Sequence, residues 1–189
     1  MTARTVAVFG GSFNPPHMAH VLAAAYVIGA CQVDAFLVIP TFVYPFAKPL
    51  APFEDRFQMC CLAFGWLPGV SISRVEQELG GESRTLRTLR HLASEHPDWR
   101  LRLVVGADVL QDAPRWSGFD EIRKIAPPVI LGRVGAPSPE AIADVFPDIS
   151  STRLRAAIQD GRVQDVRALM PAKVVDYVLS HRLYGAGAA

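Results

Sequence analysis

The chain has 189 residues, 50% hydrophobic and 20% charged, which suits one globular domain and excludes a largely disordered chain. Nineteen Lys and Arg against 18 Asp and Glu leave a formal net charge of +1 and no basic stripe, so nucleic acid is not expected as a main partner. Gly, Pro or charge interrupts every apolar run before a membrane-spanning length, and no secretory signal opens the chain, so neither a membrane partner nor export is expected.

Apolar runs then alternate with amphipathic segments from end to end. Thr5–Phe9 reads as a strand and Met18–Gly29 as a helix; Ala35–Ile39 is a second strand. Pro40 to Pro52 contains four prolines and little periodicity, and is expected to be a long loop at the carboxyl end of that strand. Phe53–Phe64 is helical and contains the adjacent Cys60 and Cys61, which with Cys31 make an odd set. That is no disulfide framework, and it fits a reducing cytoplasm. Strands are expected at Val70–Ser73, Leu101–Val105 and Val129–Leu131, with a short one near Asp144–Phe146. Helices are expected at Thr85–Glu95, Glu121–Ile125, Thr152–Gln159 (stopped by Gly161), Val163–Leu169 and Ala172–His181. Such alternation predicts an α/β fold, a Rossmann-like doubly wound parallel sheet with C-terminal helices in a single domain. The domain is expected over residues 1–184, with 185–189 as a frayed tail.

Gly10-Gly11-Ser12-Phe13-Asn14-Pro15-Pro16-His17-Met18-Ala19-His20 joins the first strand to the first helix. A strand, a glycine turn and a helix start gather backbone N–H groups and the positive end of a helix dipole at one spot, which suits an anion. His17 and His20, three apart, face the same spot. A dinucleotide-binding dehydrogenase is excluded on two counts. Prolines stand where its third glycine belongs, and Asp34 precedes the second strand instead of ending it. Zinc fares no better, because no nearby Cys or His completes the ligand set that His17 and His20 would begin.

Ile149-Ser150-Ser151-Thr152-Arg153-Leu154-Arg155 forms a second cradle. Ser150 or Ser151 can cap the helix, and Arg155 falls one turn on from Ser151 on the same side, with a planar fork suited to phosphate oxygens. Two helix starts of this kind can hold a triphosphate between them.

GGSFNPPHMAH is similar to the signature of the nucleotidyltransferases, and ISSTRLR resembles their C-terminal partner motif. Gly106-Ala107-Asp108, with Trp116 eight residues after Asp108, resembles the motif of one branch, the nicotinate (or nicotinamide) mononucleotide adenylyltransferases. Lys48, Arg56, Ser83-Arg84-Thr85-Leu86 and the closing helix match further, so the resemblance covers nearly the whole chain. Ala19 departs from it, standing where the signature has glycine.

The resemblance implies adenylyl transfer from ATP to a pyridine mononucleotide, with nicotinate mononucleotide the first choice and nicotinamide mononucleotide the alternative. Another phosphate acceptor, such as a coenzyme A or FAD precursor, and a non-catalytic nucleotide sensor stand as the remaining readings. It implies His17, His20 and Arg155 as catalytic groups. ATP contacts are expected from Gly10, Gly11, Ser12, Phe13, Gly106, Ser151 and Thr152 as well. Lys48, Thr85, Asp108 and Trp116 are the expected mononucleotide contacts, with Trp116 stacking on the pyridine ring. Mg2+ is expected to bridge phosphates through water, without an all-protein metal site. The implied partners are ATP and the mononucleotide, and a homo-oligomer is left open.

Overall fold

The structure, a computed structural model, describes residues 3–45, 49–107, 118–132, 139–142 and 146–187. Five strands, β1 (Arg4–Gly11), β2 (Ala35–Pro40), β3 (Val70–Ile72), β4 (Trp99–Gly106) and β5 (Pro128–Leu131), form one parallel sheet in the order β3-β2-β1-β4-β5. The chain winds outward from β1 to β3 and then returns to β1's other side. That reversal leaves a crevice outside the carboxyl ends of β1 and β4, where open α/β sheets bind ligands.

Both faces of the sheet are covered. Ala7, Phe36, Val38, Val104, Val129 and Leu131 point to one side, where α1 (Met18–Ala30), α2 (Phe53–Phe64) and the C-terminal helices pack. These last are α6 (Ser151–Gln159), α7 (Val163–Arg167) and α8 (Ala172–Ser180). Val6, Val8, Leu37, Leu101, Leu103 and Ile130 point the other way, against α3 (Val75–Leu79), α4 (Thr85–Glu95) and α5 (Phe119–Ile125). The two-residue alternation of side chains along each strand splits the core in this manner. β2 is buried along its whole length, which explains its unbroken apolar run.

The expected elements are found, with differences at their edges. α3 was not legible: five residues are too few to show a period, and only Val75 is buried. β1 runs on through Gly10 and Gly11, which pair with Ile39 and Pro40, so the turn starts at Ser12 instead. Of the short strand expected near Asp144–Phe146, Asp144 and Val145 lie outside the described residues, while Phe146 is buried in the core. Of the frayed tail expected over 185–189, residues 188 and 189 lie outside the described residues. Leu183–Gly185 form a 3-10 turn and Ala186 is buried.

Candidate active site

Asp34 lies at the amino end of the sheet, where its carboxylate accepts the Thr5 N–H at 2.7 Å. It ties β1 to β2 far from the crevice, in keeping with the rejection of a ribose role.

At the crevice, Gly11 ends β1 and Phe13 follows with φ 43°, a left-handed conformation rare for an aromatic residue. Dense packing of its ring offsets that strain. The ring is 1% exposed and meets Phe9, Phe64 and His20 edge-on, with centroids at 5.5, 5.8 and 5.1 Å. It also lies directly against Gly11, where a Cβ would meet the ring at 3.2 Å. Gly11 is therefore needed for close approach to Phe13, whereas a Cβ on Gly10 would meet nothing within 4 Å. Strain held this firmly is characteristic of functional turns.

His17 is the N-cap of α1 and His20 its third residue. Their rings stack at 3.7 Å with a 21° interplanar angle. His20 Nδ1 accepts the His17 N–H at 3.2 Å, so the proton of a neutral His20 ring belongs on Nε2, where it serves as a donor. The backbone of α1's first turn is largely engaged already. Met18 N–H donates to Leu169 at 2.9 Å, and the N–H groups of His20 and Val21 return to the His17 carbonyl at 2.9 and 3.2 Å. An anion at this helix start would therefore find α1's own amides largely taken, with the imidazoles and the Ser12–Phe13 turn beside it.

α6 brings the second cradle to the same loop. Ser150 takes the N-cap position without a side-chain cap bond, and the Ser151 hydroxyl donates instead to the Pro15 carbonyl at 2.9 Å. Arg155 Nη1 donates to the Asn14 carbonyl at 2.8 Å, and Nη2 reaches the Thr152 hydroxyl at 3.3 Å. Residues more than 130 apart in sequence thus meet at the peptide units of Asn14 and Pro15, which are joined by a cis bond. Gly161, at φ 73°, ends α6 with paired bonds from Gly161 N–H to Ile158 and from Arg162 N–H to Ala157. This left-handed close fixes where the helix stops.

Three residues that sequence reasoning left without a role, and a fourth noted only as a match, complete the frame. Asn14 is fully buried; its Oδ1 accepts the Ala51 N–H at 3.0 Å and the Tyr184 hydroxyl at 2.9 Å. Burial raises the Tyr184 phenol well above its ordinary value, so it stays a neutral donor. Arg56, 1% exposed, sends Nε to the Ala51 carbonyl at 2.9 Å and Nη1 to the carbonyls of Ser12 at 3.1 Å and Thr41 at 2.7 Å. Leaving a buried charged donor unmatched costs more than the ~1–3 kcal/mol of a neutral one, which is why carbonyls converge on it. Glu76 accepts the Phe42 N–H at 3.1 Å and the Thr88 hydroxyl at 3.2 Å. Burial raises its carboxyl above the ordinary range, against the pull of these bonds and of Arg56. The only forward signals were Asn14's place between Phe13 and two prolines and an arginine in an otherwise core-facing helix.

Gly106 closes β4 at the crevice and Thr85 opens α4, half-buried. Lys48, Asp108 and Trp116 lie outside the described residues.

The sequence matches the model of the cytidylyltransferase-like family over residues 8–157. A probable nicotinate-nucleotide adenylyltransferase of Anaeromyxobacter dehalogenans is 45% identical over 184 residues, covering 96% of this chain and 97% of that protein. One of the same description from Thermus thermophilus is 34% identical, covering 95% and 98%. Among solved structures, Plasmodium falciparum nicotinic acid mononucleotide adenylyltransferase complexed with NaAD aligns with a TM-score of 0.79. It covers 98% of this chain and all of that one at 16% identity, a likeness of fold.

Proposed function

We propose that this chain, which belongs to the cytidylyltransferase-like family and within it to the nicotinate-nucleotide adenylyltransferases, transfers the adenylyl group of ATP to nicotinate mononucleotide, yielding the deamido-NAD dinucleotide and pyrophosphate. The observation that carries this reading is the meeting of the His17–His20 helix start with Ser151 and Arg155 on the Asn14–Pro15 loop. The names of the relatives favour nicotinate as the acceptor.

The acceptor's 5′-phosphate is already anionic near neutral pH, so its attack on the α-phosphorus needs no strong base. The protein's task is to align the two phosphates and to balance charge as it passes to the leaving pyrophosphate. The rigid turn at Ser12 and Phe13 offers backbone N–H groups to the α-phosphate, beside Gly10, Gly11 and Gly106. His17 and His20 donate to the α- and β-phosphates; His20 does so through Nε2, with Nδ1 held by the His17 amide. Ser151, Thr152 and Arg155 grip the β- and γ-phosphates. Donors fixed before the reaction stabilise the developing charge without reorganising. Thr85 serves the mononucleotide, with Lys48, Asp108 and Trp116 assigned to the same half.

Among the described residues, no cluster of three or more His, Cys, Asp or Glu is placed to hold a metal ion. Imidazole, guanidinium and hydroxyl donors suit phosphate oxygens, so Mg2+ fits here as an ion held by the triphosphate and water. When bound it supplies further neutralisation of phosphate charge.

Pyrophosphate release from ATP, measured with nicotinate mononucleotide, nicotinamide mononucleotide, pantetheine phosphate and FMN in turn, tests the assignment. The first acceptor should give the highest kcat/KM. Release with pantetheine phosphate or FMN, and none with either pyridine mononucleotide, would end the reading.

A further inference from the structure

Thr41–Val43, the first residues after β2, stand between the two halves of the proposed site. Thr41 N–H donates to the Gly11 carbonyl at 2.9 Å, on the phosphate side. On the other side, the Ser83 N–H donates to the Val43 carbonyl and the Phe42 N–H to the Ser83 hydroxyl, both at 2.9 Å. Ser83 is two residues before Thr85. The Phe42 peptide is held from both ends, its carbonyl by Arg56 Nη2 at 3.4 Å and its amide by Glu76 Oε2 at 3.1 Å.

Arg56 reaches further than this one peptide. The same guanidinium bonds Ser12 in the phosphate turn, Thr41 at one end of the proline-rich loop and Ala51 at the other. Asn14 doubles the last link through the Ala51 amide. A planar fork with donors in fixed directions can span these carbonyls, whereas an ammonium group is a single point. Glu76 completes the chain by accepting from Thr88, one turn into α4.

We propose that Arg56 and Glu76 are positioning residues that clamp the Phe42 peptide and thereby set the distance between the phosphate turn and the mononucleotide half of the site. This rests on the adenylyltransferase reading. Neither side chain need touch substrate. The pair acts by holding Ser12, the ends of the 41–51 loop and the start of α4 in one register, so that the acceptor phosphate arrives in line with the α-phosphorus. Arg56 contributes one bond to the phosphate turn and three to the loop, and Glu76 bonds the loop, Ser83 and α4. The mononucleotide half should therefore suffer more from their loss than the ATP half.

Arg56→Lys and Glu76→Gln test this. Arg56→Lys should raise KM for nicotinate mononucleotide ~10-fold and lower kcat, with KM for ATP changing less than ~3-fold. Glu76→Gln, which keeps size and one acceptor, should raise the mononucleotide KM while leaving that for ATP unchanged, and it decides the matter should Arg56→Lys fail to fold. Amide hydrogen exchange read by mass spectrometry should quicken in peptides covering 41–51 and 82–86 and stay unchanged across β1 and β4 in Glu76→Gln. Equal rises of both KM values in Glu76→Gln, or exchange quickened across the whole sheet, would show a general core role and overturn the proposal. So would wild-type KM values and exchange in that variant. Wild-type protein inactive with every pyridine mononucleotide would remove the substrate assignment alone, and the exchange measurement would still decide on the clamp.

Discussion

His20 Nδ1 accepts the His17 N–H at the start of α1, and the proposed function gives its Nε2 a second job, on phosphate. The two can be separated by measurement. His20→Ala should lower kcat by ~10²-fold or more, as loss of one preorganised donor does. The lost cap should cost only ~1 kcal/mol of stability, because the helix keeps its buried face. Stopped-flow or steady-state turnover set beside thermal melting checks both numbers. Normal turnover with a lowered melting temperature would make the histidine a cap and nothing more. Phe13 and Gly11 belong to the same scale. The sequence shows a glycine pair, but not that one of the two is there for an aromatic ring instead of a turn; that requires Phe13's left-handed backbone to be seen.

Among the elements, α6 was readable from its Ser-Ser-Thr start and Gly161 stop, and α1 from its apolar run. What could not be read was where α6 points. Its aim depends on the Ser151 and Arg155 bonds to carbonyls 136 and 141 residues away, and backbone acceptors carry no sequence signature. The same holds for Arg56, whose partners are main-chain oxygens, and for Tyr184, whose hydroxyl reaches Asn14 across 170 residues. α3 was missed for a different reason, its shortness. Arg155 offers the sharpest prediction for an element. Removing its charge-assisted contact should weaken a non-hydrolysable ATP analogue by ~1.5–3 kcal/mol. Nicotinate mononucleotide should be affected far less, because the proposed function assigns Arg155 to the triphosphate side. Calorimetric titration of Arg155→Ala with each ligand makes the comparison. Equal weakening of both would mean that Arg155 merely docks α6 on the Asn14 loop.

For the whole molecule, strand–helix alternation foretold a doubly wound parallel sheet, and the β3-β2-β1-β4-β5 order supplies the crevice that the motifs need. The alternation could not place the crevice by itself, since strand order depends on crossovers. The motifs could, because the Gly10–Gly11 pair ends β1 and Gly106 ends β4. The central claim is that this crevice directs an acceptor phosphate to the α-phosphorus of ATP. Supplying ATP labelled at its α-phosphate, together with nicotinate mononucleotide and Mg2+, and following the label tests it most directly. The label should pass entirely into the dinucleotide, with unlabelled pyrophosphate released in equal amount. Label recovered as free AMP, or transfer of the γ-phosphate to the mononucleotide, would contradict the account.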